Sequence, residues 1–399
     1  MASQGVSATT TFGSLIFVNG KNDTLAPVGP LTAGISPGLM AISPSRNVLI
    51  AFDAGTNSVY AVDTVKESNL GTTHLQGPTT SMVVPTASAL GYAAVPGATV
   101  QGYSFTGAVD AMNLLAGGII TTIAVPTAQT VISDSTGVSL LAFSSNSNTA
   151  NNYVTLLHPG LALPPVDTSC LSGQANSVCT RIPGFDQPVY GIVSGSTAYI
   201  LNCGPQCGGT QASVAILDLG SLTITATIPV DAATWALLSG STLYVAGTPA
   251  TNNDCTGQTT AATVCGRLDV VDLGSQTVTN TYVITNGYHD RMDMSVNGQL
   301  FIGSHGCTSI GNVNFPSGEV RGCLSILNTN TGTVIVPPDN GDVTGLQSFT
   351  EREIEYVAQD GVLRVYDTSK DILLIDDFVP QGTINIVGDV GDIKAIDFF

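Results

Sequence analysis

Residues 213–230 read SVAILDLGSLTITATIPV. A run of β-branched and apolar residues ends at Asp218, a short turn follows, and a second run of the same kind begins. The pattern returns at residues 58–75, 108–125, 267–284, 323–336 and 362–379. Repetition at a spacing of roughly 40–60 residues indicates that one supersecondary unit is stacked several times. We therefore expect a repeat fold built from β-strands.

Extending the pattern backwards from each motif predicts a unit of four strands. The clearest unit has strands at residues 189–193, 197–201, 213–218 and 223–230. The same rule predicts seven units, which begin near Ser36, Thr80, Thr127, Gln187, Asp231, Gly287 and Asp342. Apolar residues at helical spacing are nearly absent. The predicted fold class is all-β, a propeller of four-stranded antiparallel blades.

Both ends of the chain carry further β-type segments. Residues 14–28 and residues 383–399 each supply two of them. Their pairing would form a composite blade that closes the ring and leaves no exposed sheet edge at the join. We expect eight blades, or seven if one terminal pair only packs against the ring. Residues 14–399 are expected to form a single propeller domain, and residues 1–13 to be disordered or added by cloning.

Composition and charge exclude several classes of protein. The chain is 43% hydrophobic and 10% charged, which supplies a core and argues against disorder. It carries 29 acidic and 11 basic residues, a net charge of −18. Phosphate backbones need Lys and Arg clusters, so nucleic acids and anionic membranes are poor partners. No apolar run is long enough to predict a transmembrane segment.

The cysteines form four local pairs. None has zinc-ribbon spacing, and no His follows them at finger spacing. An even number in this Lys-poor chain indicates local disulfides and an oxidising location, which is extracellular, periplasmic or at the cell surface. Free buried thiols in a cytosolic protein are the alternative. The predicted pairs are Cys170–Cys179, Cys203–Cys207, Cys255–Cys265 and Cys307–Cys323.

The predicted unit order places these pairs on particular faces of the ring. Three pairs lie in connections between second and third strands, which emerge on the same rim as the crossovers between units. Cys170 and Cys179 lie in a connection between a third and an outer strand, on the opposite face. The N-terminus lacks the features of a signal peptide. If the protein is exported, we expect a leader or lipid-anchor segment to have been removed.

With these repeats, the chain resembles the YVTN-type surface β-propellers, a class that includes lactonase-like and quinoprotein-like folds. The segments that carry the resemblance are LIFVN at 15–19, PGLMAISPS at 37–45, LYVA at 243–246, LFIG at 300–303 and the strand at 214–218. The resemblance covers nearly the whole chain and specifies fold rather than activity. It implies one alternative function, a lactonase-like hydrolase with a divalent cation in the central channel, for which Glu351 and Glu353 are candidate ligands near an inner strand.

The densest polar cluster is Tyr288, His289, Asp290 and Arg291, together with His305. A crossover and a long loop should meet at one rim here, so two imidazoles and a carboxylate could converge on a metal ion. In the preferred interpretation, Asp290 and Arg291 pair to fix the crossover and both histidines are solvated. The nearby Glu319 and Arg321 could add a polar wall to this site, although a solvated rim is preferred.

No motif for a familiar catalytic or cofactor-binding site is present. The serine-hydrolase elbow, the phosphate-binding loop, the dinucleotide fingerprint and the haem attachment motif are all missing. The single tryptophan, Trp235, is expected in the core. The predicted function is therefore a secreted or surface-anchored scaffold, without a cofactor, whose disulfide-bonded rim loops bind a protein, a glycan or a surface. We lean against an enzyme, and the hydrolase remains the alternative.

Overall fold

Each sequence repeat forms one antiparallel sheet, a blade, whose strands run in order from the central channel to the edge of the ring. We call these the inner, second, third and outer strands. The computed structural model describes residues 2–5, 13–85, 89–134, 137, 139–144, 152–158, 164–251, 255, 264–308, 310–311, 320–337, 341–349, 351–370, 372–373 and 381–396.

The first four blades are continuous in sequence. Blade 1 comprises Pro37–Ile42, Val48–Asp53, Ser58–Asp63 and Ser68–His74. Blade 2 comprises Ser81–Val83, Leu90–Val95, Ala108–Asn113 and Ile119–Ala124. Blade 3 comprises Ala128–Ser133, Leu140–Ser144, Tyr153–Leu157 and Cys179–Pro183. Blade 4 comprises Pro188–Ser194, Thr197–Asn202, Ser213–Asp218 and Thr223–Pro229.

The next three blades repeat this order. Blade 5 comprises Trp235–Ser239, Thr242–Gly247, Gly266–Asp272 and Thr277–Ile284. Blade 6 comprises Tyr288–Met294, Gln299–His305, Leu324–Asn328 and Thr333–Ile335. Blade 7 comprises Val343–Ser348, Ile354–Gln359, Val362–Asp367 and Ile372–Leu373. The seven predicted units are confirmed, and all but the fifth begin one residue after the predicted start.

The Asp or Asn that ends each motif forms the turn between the third and outer strands. In blade 1, Asp63 Oδ1 accepts hydrogen bonds from the backbone N–H groups of Val65 and Lys66, at 3.1 and 2.9 Å. Such a side chain replaces a backbone acceptor and so fixes a tight turn. The equivalent residues Asn113, Asp218, Asp272, Asn328 and Asp367 make the same kind of bond. The recurring Asp or Asn is therefore a structural feature of the repeat.

A composite sheet, here called the terminal sheet, joins the two ends of the chain. From the centre outwards it consists of Asp389–Ile393, Ala2–Gly5, Ser14–Ile16 and Leu31–Thr32. The prediction that both ends close the ring is confirmed. Two details differ from the prediction. Residues 2–5, which were expected to lie outside the propeller, form a paired strand of this sheet. Residues 24–28, which were expected to supply one of its strands, instead contribute to a small hairpin of Val18–Asn19 with Thr24–Leu25. Residues 397–399 of the predicted final strand lie outside the described residues.

The core is divided among the interfaces between neighbouring sheets. Six apolar clusters join consecutive blades from blade 1 to blade 7, one joins blade 7 to the terminal sheet, and one joins the terminal sheet to blade 1. The last of these packs Leu15 and Phe17 against Met40 and Leu49. Burial at every interface stabilises the ring by roughly 25 cal/mol per Å² of apolar surface. The ring has seven blades, the alternative to the expected eight, and the terminal sheet packs between blade 7 and blade 1.

All four predicted cysteine pairs are disulfides, with Cα–Cα distances of 5.5–5.7 Å. The pairs in blades 4, 5 and 6 close connections between second and third strands, as predicted. We call that face of the ring the loop rim and the other face the turn rim. The two short 3₁₀ helices, Ser169–Ser172 and Gly204–Cys207, each contain a bonded cysteine. Four disulfides indicate an oxidising compartment.

The remaining strands are short additions to this plan. Val166–Asp167, from the long connection in blade 3, pairs in parallel with the outer strand of blade 2. Thr383–Ile384 pairs with the third strand of blade 7, and Ile310–Gly311 pairs with Val320–Arg321 in a loop of blade 6. Neither of the helices in the described part of the chain is long and apolar enough to cross a membrane.

Candidate functional site

The central channel contains a cavity of about 880 Å³. Its walls come from blades 1 to 6 and from the terminal sheet. Met40, Met82 and Val84 form part of an apolar wall, and the polar cluster of blade 6 lies on the cavity as well. Ligand sites are typically concave and mostly apolar, with a few convergent polar groups, and their volumes are about 300–1,000 Å³. This cavity has those properties.

A β-bulge positions the polar cluster. In the inner strand of blade 6, His289 pairs with Ser304 and Arg291 pairs with Gly303, so Asp290 has no partner in the register. Successive side chains of a regular strand alternate between its two sides, and a bulge interrupts that alternation. As a result the consecutive residues Asp290 and Arg291 both line the cavity, whereas His289 is buried inside the blade.

Tyr288, Asp290, Arg291 and His305 meet at the loop rim. Asp290 Oδ2 lies 3.2 Å from Arg291 Nη1 and 3.4 Å from His305 Nδ1. The Tyr288 and His305 rings are inclined at 42°, with their centroids 5.3 Å apart. Arg291 is fixed further, because its Nε donates to Thr344 O and its Nη1 to Asp290 O, both at 2.8 Å. The predicted meeting of the crossover with His305, and the pairing of Asp290 with Arg291, are both present.

The two histidines occupy different environments. His305 is half exposed, and its hydrogen bond with Asp290 raises its pKa. His289 is fully buried, and its Nε2 donates to Thr285 O at 3.0 Å. Burial lowers the pKa of His289 to about 4, so the ring is neutral at pH 7. The expectation of two solvated histidines was wrong for His289, which also faces away from His305 and the cavity.

Trp235 lines the cavity, whereas it was expected to lie in the core. Its ring stacks on that of Tyr190 from blade 4, with centroids 3.8 Å apart and planes 17° apart. Both residues lie on inner strands of adjacent blades. A second cavity of about 340 Å³ shares this aromatic pair and continues along Val131 and Ile192. Apolar periodicity alone did not distinguish a channel-facing ring from a core ring.

The acids predicted near an inner strand lie elsewhere. Glu351 and Glu353 are exposed in the connection between the inner and second strands of blade 7, on the turn rim. They flank Arg352, which donates to both carboxylate oxygens of Asp23 at 2.7 Å. The expected channel position was wrong, because the strand after these residues is the second strand and not the inner one. A fully buried acid of this blade is Glu355.

Glu355 is fully buried at the interface of blades 6 and 7. Its two carboxylate oxygens have no hydrogen-bond partner among the described residues. Burial, followed by the nearby charge of Asp293, raises its pKa well above the usual value, which favours the protonated form of the side chain. Among the described residues, no three His, Cys, Asp or Glu side chains are grouped closely enough to hold a metal ion.

The two remaining candidates lie in a loop of blade 6. Arg321 belongs to the strand Val320–Arg321, and the structure describes only its backbone. Glu319 lies outside the described residues. Both interpretations, the preferred solvated rim and the polar wall, therefore stay predictions.

Comparison with known proteins supports the fold and does not identify a function. No family model matches the chain, and no curated protein sequence matches it. Among solved structures, BamB from Moraxella catarrhalis is similar, with a TM-score of 0.56 and 10% identity over 91% of this chain and 95% of that one. The Dos1 propeller has a TM-score of 0.57 and 9% identity over 89% and 85% of the two chains.

The dihydro-heme d1 dehydrogenase NirN, solved in complex with DHE, is also similar. Its TM-score is 0.59, with 11% identity over 93% of this chain and 71% of that one. Identities this low show only a shared architecture. The YVTN-type resemblance is not confirmed by these matches, and the chain is shown to be an all-β propeller of four-stranded antiparallel blades.

Proposed function

We propose that this protein is a binding scaffold of an oxidising compartment, and that its loop rim binds a protein or glycan partner. The observation that carries the proposal is the concentration of three disulfides on the loop rim of blades 4, 5 and 6. The YVTN-type resemblance agrees with a surface location. A membrane anchor on a removed N-terminal segment would be compatible with this role.

Hydrogen bonds connect the disulfide-bonded loops of neighbouring blades. Gln206, next to Cys207, accepts a bond from the Thr248 N–H of blade 5 at 2.9 Å. Thr248 in turn donates through its hydroxyl to Gly287 O at 2.8 Å, at the start of blade 6. The loop rim is therefore linked from blade 4 to blade 6.

Asn286, in the crossover between blades 5 and 6, makes the second link. Its amide nitrogen donates to Val264 O at 3.0 Å, beside Cys265. Its amide oxygen accepts from the Thr308 N–H at 2.7 Å, beside Cys307. One side chain thus holds together the loops of two disulfides. A surface ordered before binding loses less conformational entropy when a partner docks, which favours affinity.

The lactonase-like hydrolase is not carried forward as a second function. Its candidate ligands Glu351 and Glu353 lie on the turn rim, outside the channel. His289, a further candidate, is buried and donates its Nε2 hydrogen to a backbone carbonyl. No observation on the described residues favours metal-dependent hydrolysis over binding.

The test is a binding screen on glycan arrays and immobilised extracellular proteins. We expect at least one ligand to bind the wild type and to bind Asn286→Ala about tenfold more weakly. That variant removes the two side-chain hydrogen bonds that connect the loops of two disulfides. Lys66→Ala, an exposed charge in a turn on the turn rim, is the control and should bind like the wild type. Binding that Asn286→Ala leaves unchanged, or a screen without any ligand, would contradict the proposal.

A further inference from the structure

The channel cavity has an apolar end and a polar end. The apolar part contains the stacked Tyr190 and Trp235 rings together with Met40, Met82 and Val84. The polar part at the loop rim is the group of Tyr288, Asp290, Arg291 and His305, and a second charged pair, Asp392 and Lys394, lines the cavity beside Met40. A bound molecule that fills this cavity must therefore combine an apolar or aromatic body with a polar head.

The polar end has an excess of hydrogen-bond donors. Tyr288 Oη–H and Arg291 Nη2 make no hydrogen bond to the described residues. Partial burial and the Asp290 charge raise the pKa of Tyr288 to about 12, so its hydroxyl keeps its proton. Guanidinium and phenol donors arranged in this way match a carboxylate, whose two oxygens accept several hydrogen bonds.

One acceptor at the same end is also unused. Asp290 Oδ1 is buried and has no donor among the described residues, whereas Oδ2 contacts Arg291 and His305. A buried carboxylate oxygen without a donor is unfavourable by about 1–3 kcal/mol. A ligand that places a hydrogen-bond donor beside its carboxylate would bring that donor to the Asp290 carboxylate while using the free donors.

From this arrangement we propose that the channel binds an apolar or aromatic group that ends in a carboxylate with a hydrogen-bond donor on the adjacent carbon. Both an α-hydroxy or α-amino acid and the C-terminal residue of a peptide have this chemistry. Arg291 would hold the carboxylate, Asp290 the donor, and Trp235 the apolar body. The inference goes beyond the proposed rim function and does not depend on it, since the ligand would be held by side chains that line the channel and not by the disulfide-bonded loops.

The test uses L-phenyllactate, L-phenylalanine and N-acetyl-Ala-Phe as probes in titration calorimetry. Each acid is compared with its own amide, which has the same apolar body but lacks the carboxylate charge. The fluorescence of Trp235, the single tryptophan of the chain, reports occupancy of the channel independently. We expect saturable binding of at least one acid, and binding about tenfold weaker for its amide, which corresponds to the loss of one charge-assisted hydrogen bond.

Variants separate the channel from non-specific binding. Arg291→Gln should weaken binding of the same acid about tenfold, whereas Lys66→Gln, far from the channel, should leave it unchanged. The amide comparison needs no variant and so remains decisive if Arg291→Gln folds poorly. Tighter binding of phenyllactate or phenylalanine would support the proposal and indicate a small acid as the ligand. Tighter binding of N-acetyl-Ala-Phe would support it and indicate the C-terminus of a peptide. Equal binding of acid and amide, or no binding of any acid, would overturn it.

Discussion

The closure of the ring depends on Asp392, and its removal is predicted to destabilise the whole molecule. Asp392 is 1% exposed on the inner strand of the terminal sheet. Its Oδ2 accepts the backbone N–H of Met40, in the inner strand of blade 1, at 2.9 Å. Its Oδ1 accepts from Lys394 Nζ at 2.8 Å and from the Ile393 N–H at 2.7 Å.

Asp392→Ala would leave the buried backbone N–H of Met40 without its acceptor and would remove the ion pair between Asp392 and Lys394. An unsatisfied buried backbone donor is unfavourable by about 1–3 kcal/mol. Breaking a buried ion pair destabilises by about 3–5 kcal/mol, but the side chain of Lys394 is 23% exposed, so water recovers part of that loss. We therefore expect the free energy of unfolding to fall by about 3 kcal/mol.

Urea unfolding followed by circular dichroism measures this change. The control is Asp389→Ala, which removes an exposed acid from the same strand and should change the unfolding free energy by less than about 0.5 kcal/mol. The double variant Asp392→Ala with Lys394→Ala separates the contribution of the ion pair from that of the Met40 bond. If Asp392→Ala unfolds at the same urea concentration as Asp389→Ala, the closure argument is wrong.

Three further predictions concern buried ionisable groups and disulfides. Because burial lowers the pKa of His289 to about 4, the free energy of unfolding falls as the pH drops from about 6.5 towards 4. His289→Gln cannot take up that proton, so at pH 4.5 it should lose about 2 kcal/mol less of its own unfolding free energy than the wild type loses. Glu355 has a raised pKa, so its contribution is present at acidic pH and is lost as the pH rises; Glu355→Gln should stabilise the protein at pH 8 and not at pH 4, in urea titrations. The denatured, unreduced protein should contain no reactive thiols, and replacing Cys307 and Cys323, 16 residues apart, by Ser should lower stability by about 3 kcal/mol.

The blades could be predicted from the sequence because their signals are local. Asp218 and its equivalents end each third strand with a side-chain hydrogen bond that spans only two or three residues. The disulfides were predictable for the same reason, since each pair lies within one connection. Strand order followed from the meander, so even the loop rim and the turn rim could be assigned.

Features that depend on contacts between distant segments could not be predicted. Ala2–Gly5 lacks an apolar alternation, and it is a strand because it lies between Ser14–Ile16 and Asp389–Ile393. The burial of His289 depends on a β-bulge, and no residue type in the sequence indicates that bulge. Trp235 faces the channel because Tyr190 of the neighbouring blade provides its stacking partner.

The position of Asp389–Ile393 also affects how the protein folds. Contacts within a blade join neighbouring strands, whereas the bond between Met40 and Asp392 joins residues 352 positions apart. Formation of such distant contacts is slow, because a long loop must close before they contribute energy. During synthesis the seven blades can therefore form in order while the ring stays open. We expect ring closure to be the last and slowest folding step, during which the facing sides of blade 1 and blade 7 remain exposed to aggregation.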